Sequence, residues 1–462
     1  MIKDIVLPEA VKSIFYVLNR NGYEAYIVGG AVRNSILELP VHDWDICTNA
    51  LPEEICKLFR SKGFRVVETG LQHGTVTVMV NCRGYEVTTY RTDGKYSDSR
   101  HPDSVEFVSD IYSDLSRRDF TMNAIAYNDG GFIDPFNGMR DIKNKVIKCV
   151  GVAIDRFTED PLRIMRAVRF AAQLGFHIEN YTNIAMVQTN DGLSKISAER
   201  IQSELCKILI SDHPEYVLDY YIDISPAIPE LNKIMGCSQN NMYHIYDVWN
   251  HTRFALTACR IHELETRLAI LLHDIGKSEL KVTENGIDHF YKHAVKSAEI
   301  ADSMLRRLKF ANYVREPVVE LIVNHDITII PKPNKIKKYL NKFGEAQFRR
   351  LLDIRFCDIM AHNPYYAKDR LWETFKAEEM LNEVLAEEKC FSIKDLAING
   401  KDIMDLGIKE GPDVGKWLNY ALDEVINDRL ENDKEDILSD IDAKIYAERE
   451  EGNSDETLSD MR

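Results

Sequence analysis

The chain has 462 residues, 45% of them apolar, and a formal net charge of −16. That length predicts two to four domains, and the apolar share excludes wholesale disorder. The acidic total argues against a nucleic-acid partner held by net charge, and nine cysteines with no C-x-x-C pair argue against thiolate zinc sites and a disulfide framework.

The opening, "MIKDIVLPEAVKSIFYVLNR", reads as an amphipathic helix without a signal-peptide core. No apolar run approaches the ~20 residues of a membrane span, so a soluble, cytoplasmic protein with no membrane partner is expected. "EAYIVGG", "HDWDICT", "GTVTVMV" and "GYEVTTYR" read as strands, rich in Val, Ile, Thr and Tyr, with helices such as "PEEICKLFRSKG" between them. From about residue 151 the pattern turns almost wholly helical, with i, i+3, i+4 apolar spacing in "EDPLRIMRAVRFAAQLGF" and "ERIQSELCKILI". The end, "AEREEGNSDETLSDMR", is polar and expected to fray. From Asn427 to Arg462 there are 13 acids against 5 bases, half of the net charge, whereas "PLRIMRAVRF", "LRRLKF" and "PKPNKIKKYLNKFGEAQFRR" are basic islands. A net total therefore does not exclude local phosphate binding.

The first chemistry lies in "HDWDIC". On a strand, alternate side chains share a face, so Asp43 and Asp45 project together while Trp44 points away. Two carboxylates held this close are costly unless a cation sits between them. Mg²⁺ takes carboxylate oxygens, and paired carboxylates on a strand end can hold the ions that clamp a phosphoryl displacement. Glu86, on another predicted strand, can supply a third carboxylate. The Gly29-Gly30 turn, between a strand and a helix, lets backbone approach phosphates, and Arg33 can pair with them. Arg163, Arg166 and Arg169 are spaced by three and share one side of a helix whose other faces carry Leu162, Ile164, Val168 and Phe170.

With those residues read, "GGAVRNSILELPVHDWDI" resembles the signature of the polymerase-β-like nucleotidyltransferases, in the branch of class II CCA-adding tRNA nucleotidyltransferases and bacterial poly(A) polymerases. "RRDFTMNAIAY" is similar to the family's ribose and triphosphate motif, "EDPLRIMRAVRFAAQLGF" to its base motif, "AERIQSELCKIL" to the helix that follows, and "RTDGKYSDSRHPDSVEF" to its flexible loop. Asn34 stands where the family usually has Asp. The resemblance implies that Asp43 and Asp45 hold Mg²⁺, with Glu86 as a further catalytic carboxylate. It implies that Gly30, Arg33, Arg118, Asp119 and Asn123 hold the nucleotide's phosphates and sugar. Asp160 and Arg163 would then face the base, and Arg166 and Arg169 would complete the basic face.

A second cluster follows: His244, His251, His273-Asp274, His289, His293 and His325-Asp326. Imidazoles and carboxylates on successive helices suit a divalent metal. "YDVWNHT", "LLHDIGK" and "YKHAVKSAEIA" resemble the HD phosphohydrolase superfamily, which implies His251, His273, Asp274 and Asp326 as ligands of a second divalent metal, with His293 and His325 as further candidates.

The fold expected is α+β, a nucleotidyltransferase head with a small mixed sheet followed by an all-helical neck, body and tail. The boundaries expected are head 1–150, neck 151–215, body with HD domain 216–330, tail 331–438 and an acidic frayed end 439–462. The activity implied is addition of C, C and A to tRNA from CTP and ATP without a nucleic-acid template. Lys335, Lys337, Lys338, Lys342, Arg349 and Arg350 are the candidates for tRNA backbone contact. Poly(A) synthesis, partial CC or A addition, and an HD hydrolase with a nucleotide-sensing head are the alternatives.

Overall fold

The computed structural model describes residues 4–71, 74–94, 104–386 and 391–459, the side chains of Thr69, Asp93 and 449–459 excepted. The expected flexible loop falls on 91–107, of which 95–103 lie outside the described residues. The chain forms two compact units: residues 1–232 with 303–311, and residues 233–302 with 312–462.

The first unit is built on β1 (Tyr26–Val28), β2 (Ile46–Thr48), β3 (Arg65–Gly70), β4 (Thr75–Val80) and β5 (Arg83–Thr89). β6 (Arg91–Asp93) and β7 (Val105–Phe107) pair with each other, and β8 (Ala126–Asn128) and β9 (Gly131–Ile133) complete the main sheet. The seven-stranded order is β3-β4-β5-β2-β1-β8-β9. Only the β2–β5 pairing is parallel, so the sheet is mixed as expected. β4 alternates buried and half-buried residues, which is the period of a strand with one face on a core. It returns into β5 through Asn81 and Cys82, both at positive φ, the conformation a two-residue turn needs to match strand twist. Beneath β1 and β2, Val28, Cys47, Tyr90, Ile111, Leu115 and Ala126 form a buried cluster.

Asp43 and Asp45 stand just before β2 rather than on it, and the Asp45 carbonyl accepts the Val28 N–H at 3.0 Å. The helix Leu162–Leu174 follows, capped by Gly175 in the left-handed conformation. It packs on the helix Ala198–Leu209. The second unit is helical apart from a hairpin, Val282–Glu284 with Ile287–His289, turned by Asn285-Gly286 at positive φ. This hairpin, and the short parallel pair Val146–Ile147 with His177–Ile178, correct the expectation of an all-helical remainder.

The two compact units part after residue 232, a coarser partition than the expected boundaries at 150, 215 and 330. The boundary at 439 cuts a helix, Lys434–Ser459. Ile437, Ile441 and Ile445 of that helix are buried with Trp417, Leu422 and Ile426, so the end is docked rather than frayed as far as Ile445. The i, i+4, i+8 spacing of the three isoleucines is the reason: it supplies one apolar stripe.

Candidate active site and a second metal-ligating cluster

Parallel pairing of β2 with β5 sets Ile46 beside Val87, so one residue earlier Asp45 lies level with Glu86. Ile46 and Val87 are buried, and Asp45 and Glu86 alternate to the exposed face. Burial and the neighbouring acids push both upward: Asp43 raises Asp45, and Asp45 and Asp43 raise Glu86. Arg118 pulls Asp45 the other way. The three carboxylates do not gather as donors within 4.8 Å of one another among the described residues, yet they feel one another's charge. An oxygen-only set that repels itself fits a hard divalent ion such as Mg²⁺.

Gly29 sits at φ 69 and ψ −131, at the start of the helix Gly30–Ile36. A Cβ there would come within 3.1 Å of Arg118 Nη1 and 3.9 Å of Asp45 Oδ2. Glycine is therefore required both by conformation and by the close packing of the phosphate-binding candidates. Arg118 is held by Asp114, whose Oδ2 accepts from Arg118 Nη2 at 3.1 Å while Oδ1 accepts from Arg117 Nη2 at 2.7 Å.

Beside these, Gly29, Arg117, Arg118, Asp119, Asn123, Asp160, Leu162, Arg163, Arg166 and Arg200 line one cleft of about 290 Å³. Asp119 is its hinge. Its Oδ2 accepts from Arg166 Nε and Nη2 at 2.9 and 2.6 Å, and its Oδ1 from Asn123 Nδ2 at 3.0 Å and the Phe120 N–H at 2.8 Å. Burial opposes its charge, but Arg166 and these donors hold the carboxyl well below the usual carboxylate range. Asn123 in turn accepts from Arg33 Nη1 at 2.6 Å. Arg33, Arg166 and Arg169 all gather on the Phe170 ring, at 4.8, 5.5 and 4.0 Å from its centroid. Burial, with Arg169 and Arg166 nearby, pushes the Arg33 guanidinium down to about 10. Three crowded guanidiniums are relieved by an anion with several oxygens, which a triphosphate is.

The two residues expected to face the base are engaged with other partners. Asp160 Oδ1 accepts the Leu162 N–H at 3.1 Å and Oδ2 accepts from Arg200 Nη2 at 3.0 Å. Arg163 donates to Glu159 Oε2 at 2.8 Å and to the Arg117 carbonyl at 3.3 Å. Arg169 does not line the cleft; it braces the helix through Glu204. Arg200, Glu204, Asp114 and Glu159 carry no signal of their own in the sequence, and Phe170 stands there only as an apolar residue of the helix. Arg200 and Glu204 lie four apart in "AERIQSELCKIL", a spacing that puts both on the face turned to Leu162–Leu174.

In the second unit, each of four histidines fixes one ring nitrogen on a backbone carbonyl. His251 Nδ1 lies 3.3 Å from Ala361 O, His273 Nδ1 2.7 Å from Ile270 O, His293 Nδ1 3.0 Å from Phe290 O and His325 Nδ1 2.7 Å from Ile322 O. That leaves every Nε2 facing a common centre: His251 and His273 are 3.4 Å apart, His293 and His325 3.2 Å. Asp274 enters with Oδ2 3.2 Å from His273 and Oδ1 3.4 Å from His293. Both its oxygens are buried, and Lys277 Nζ pairs with Oδ2 at 2.7 Å. A buried carboxylate ringed by aimed imidazoles fits a divalent metal.

The expected ligand Asp326 borders the surrounding cavity of about 420 Å³, is exposed and joins no tight donor cluster among the described residues. Asp358 does, with Oδ1 3.0 Å from His251 Nε2 and 3.7 Å from His273 Nε2. The six tail candidates also fail to form one free basic face. Lys337 is buried, 2.8 Å from Asp428; Lys338 pairs with Asp423, Arg349 with Glu345 and Arg350 with Glu263. Lys342 donates to Asn324 at 3.0 Å, and Lys335 is half-buried. The helix breaks at Gly344, so residues 331–350 form two helices rather than one basic stripe.

Comparison with known proteins bears on this geometry. A family model described as "Poly A polymerase head domain" matches residues 25–148, and one for tRNA nucleotidyltransferase domain 2 matches 289–441. A CCA-adding enzyme of Lactobacillus helveticus is 34% identical over 454 residues, covering 96% of this chain and 100% of that one. The chain belongs to the CCA-adding enzyme family. A CCA-adding enzyme of Ligilactobacillus salivarius is 34% identical over 93% of this chain and 95% of its own. Among solved structures, the CCA-adding enzyme of Bacillus stearothermophilus in complex with CTP superposes with a TM-score of 0.70 at 30% identity, over 96% of this chain and 98% of that one. The nucleotidyltransferase head and the mostly helical body are those of this family, and the chain is a nucleotidyltransferase.

Proposed function

We propose that this CCA-adding family member extends the tRNA 3′ end with C, C and A from CTP and ATP, in the cytoplasm, with Mg²⁺ held by Asp43 and Asp45. The observation that carries the reading is the cleft lined by Gly29, Arg117, Arg118, Asp119, Arg163, Arg166 and Arg200, with Asp160 and Arg163 at the start of the helix Leu162–Leu174 and with Asp45 beside Gly29 and Arg118. When bound, the ion neutralises charge developing on the α-phosphate and the leaving pyrophosphate. The chain's residues do the positioning. Gly29 lets the backbone come close to phosphates, and Arg118, Arg33 and Arg166 receive the triphosphate oxygens. Glu86 faces the same surface as Asp45 and supports it. The tRNA hydroxyl attacks the α-phosphate, one P–O bond forms, one breaks, and pyrophosphate leaves with the charge the arginines offset. The test is pyrophosphate release with tRNA lacking its last three nucleotides. Three equivalents per tRNA are expected, two drawn from CTP and one from ATP, with none from UTP or GTP. Continued release from ATP alone would favour poly(A) synthesis, and nucleotide binding without release would favour a sensing head.

A second reading rests on the histidine cluster, whose four aimed Nε2 atoms around the buried Asp274 carboxylate suit an HD-type phosphohydrolase centre. A second divalent metal would be held by His251, His273, Asp274 and Asp358. The double variant His273→Ala with Asp274→Ala is expected to lose metal-dependent hydrolysis of 2′,3′-cyclic phosphates and to keep nucleotide addition. Hydrolysis at the wild-type rate in that variant would rule the centre out.

A further inference from the structure

A third group of metal-ligating side chains stands apart from both sites. Cys259 lies just past the helix Val248–Thr257, and Asp353 and Cys357 lie one turn apart on the helix Glu345–Met360. All three are buried, and their donor atoms lie within 4.8 Å of one another. Asp353 Oδ2 is 3.5 Å from Cys259 Sγ and 3.8 Å from Cys357 Sγ. The other carboxylate oxygen, Oδ1, is turned away and held by Arg260 Nε at 3.0 Å. We propose that Cys259, Cys357 and Asp353 form a binding site for a thiophilic divalent ion of the zinc type.

The distances decide between this and two thiols that merely donate to a buried acid. Tetrahedral zinc with bonds of about 2.3 Å to sulfur and about 2.1 Å to oxygen has S···O edges of about 3.6 Å and an S···S edge of about 3.8 Å. The two S···O separations already match, and the sulfurs need close by no more than about 1 Å. The Ile261 carbonyl, 3.1 Å from Cys259 Sγ, is the nearest further oxygen. Charge fits as well. Two thiolates and a carboxylate around a divalent ion leave one negative charge; Arg260 behind Asp353 is balanced by Glu378 at 2.6 Å, and the buried Arg267 beside Cys259 supplies the offsetting positive charge. A partner that fixes the ligating carboxylate from outside is the usual second layer of such sites. Binding would release the two thiol protons to solvent. No C-x-x-C signals the site, because its cysteines are 98 positions apart and meet only when the two helices pack. The ion would tie the helix bearing His251 to the helix bearing Asp358.

Cobalt(II) substitution tests this, because thiolate–Co²⁺ bonds absorb in the near ultraviolet and the histidine–aspartate centre has no sulfur. The full chain, reduced and metal-free, is titrated with Co²⁺ and then with Zn²⁺. A charge-transfer band bleached by Zn²⁺ is expected in the wild type, in Cys82→Ser, which removes an exposed thiol, and in the His273→Ala, Asp274→Ala variant, where with the histidine centre disabled it should saturate near one equivalent. Cys259→Ser and Cys357→Ser, checked for wild-type circular dichroism, are expected to lose it. No band in the wild type overturns the proposal whether or not the serine variants fold, and so does a band that survives loss of both cysteines.

Discussion

At the scale of single residues, the site turns on which hydrogen bonds Asp160 and Arg163 can still offer. A carboxylate accepts only and a guanidinium donates only. Cytosine and adenine present an amino donor beside a ring-nitrogen acceptor, whereas uracil and guanine present the reverse. Asp160 also caps the Leu162 N–H and pairs with Arg200, so its orientation is fixed before a base arrives. Leaving a buried polar group unpaired costs roughly 1–3 kcal/mol, so if this pair reads the base, two mismatched contacts would reject the wrong one on the order of a hundredfold. Asp160→Ala should therefore lower kcat/KM for CTP and ATP and shrink their advantage over UTP and GTP on matched tRNA. An unchanged preference would refute base reading by this pair, even if total activity fell. Much of this was legible in the chain, because motif residues stand close together in sequence. Asp358 was not. The resemblance points to Asp326, while the carboxylate that meets His251 comes from a helix with no local signature.

At the scale of elements, the carboxyl-terminal helix separates two readings of an acidic tail. Composition alone predicts fraying, and it misleads because three isoleucines at four-residue spacing bury one stripe of Lys434–Ser459. Fully burying an isoleucine is worth about 1.5–3 kcal/mol. A chain ending at Tyr446 keeps Ile437, Ile441 and Ile445 and should melt like the full chain. A chain ending at Ala443 loses Ile445 and should melt lower, by an amount set by about 2 kcal/mol of lost burial. Equal melting of the two shortened chains would show that the stripe contributes nothing. The hairpin of the second unit teaches the converse. Asn285-Gly286 is a strong turn signal, but its flanks, "KVTE" and "IDHF", are too short and too polar to stand out beside long helices.

At the scale of the whole molecule, net charge is a poor guide to partners. The chain carries −16, yet acids of the carboxyl-terminal segment pair locally: Asp428 with Lys337 and Asp423 with Lys338. These pairs also consume lysines that the sequence offered as RNA contacts, so a basic run is no proof of a basic surface. The arginines that remain meaningful are those crowded around Phe170 and along the cleft. The mixed sheet and the head-then-helices order were readable because strand and helix periods differ. The division after residue 232 was not, since it depends on which helices pack together over long separations. The central claim is that this cleft builds a defined trinucleotide on tRNA. Sequencing the 3′ ends of tRNA that lacked CCA, after incubation with all four nucleotides and Mg²⁺, measures it directly. The account predicts products ending in CCA from the wild-type chain and unextended tRNA from Asp43→Ala and Asp45→Ala. A run of A residues, a product stopping at CC, or full extension by either alanine variant would contradict it.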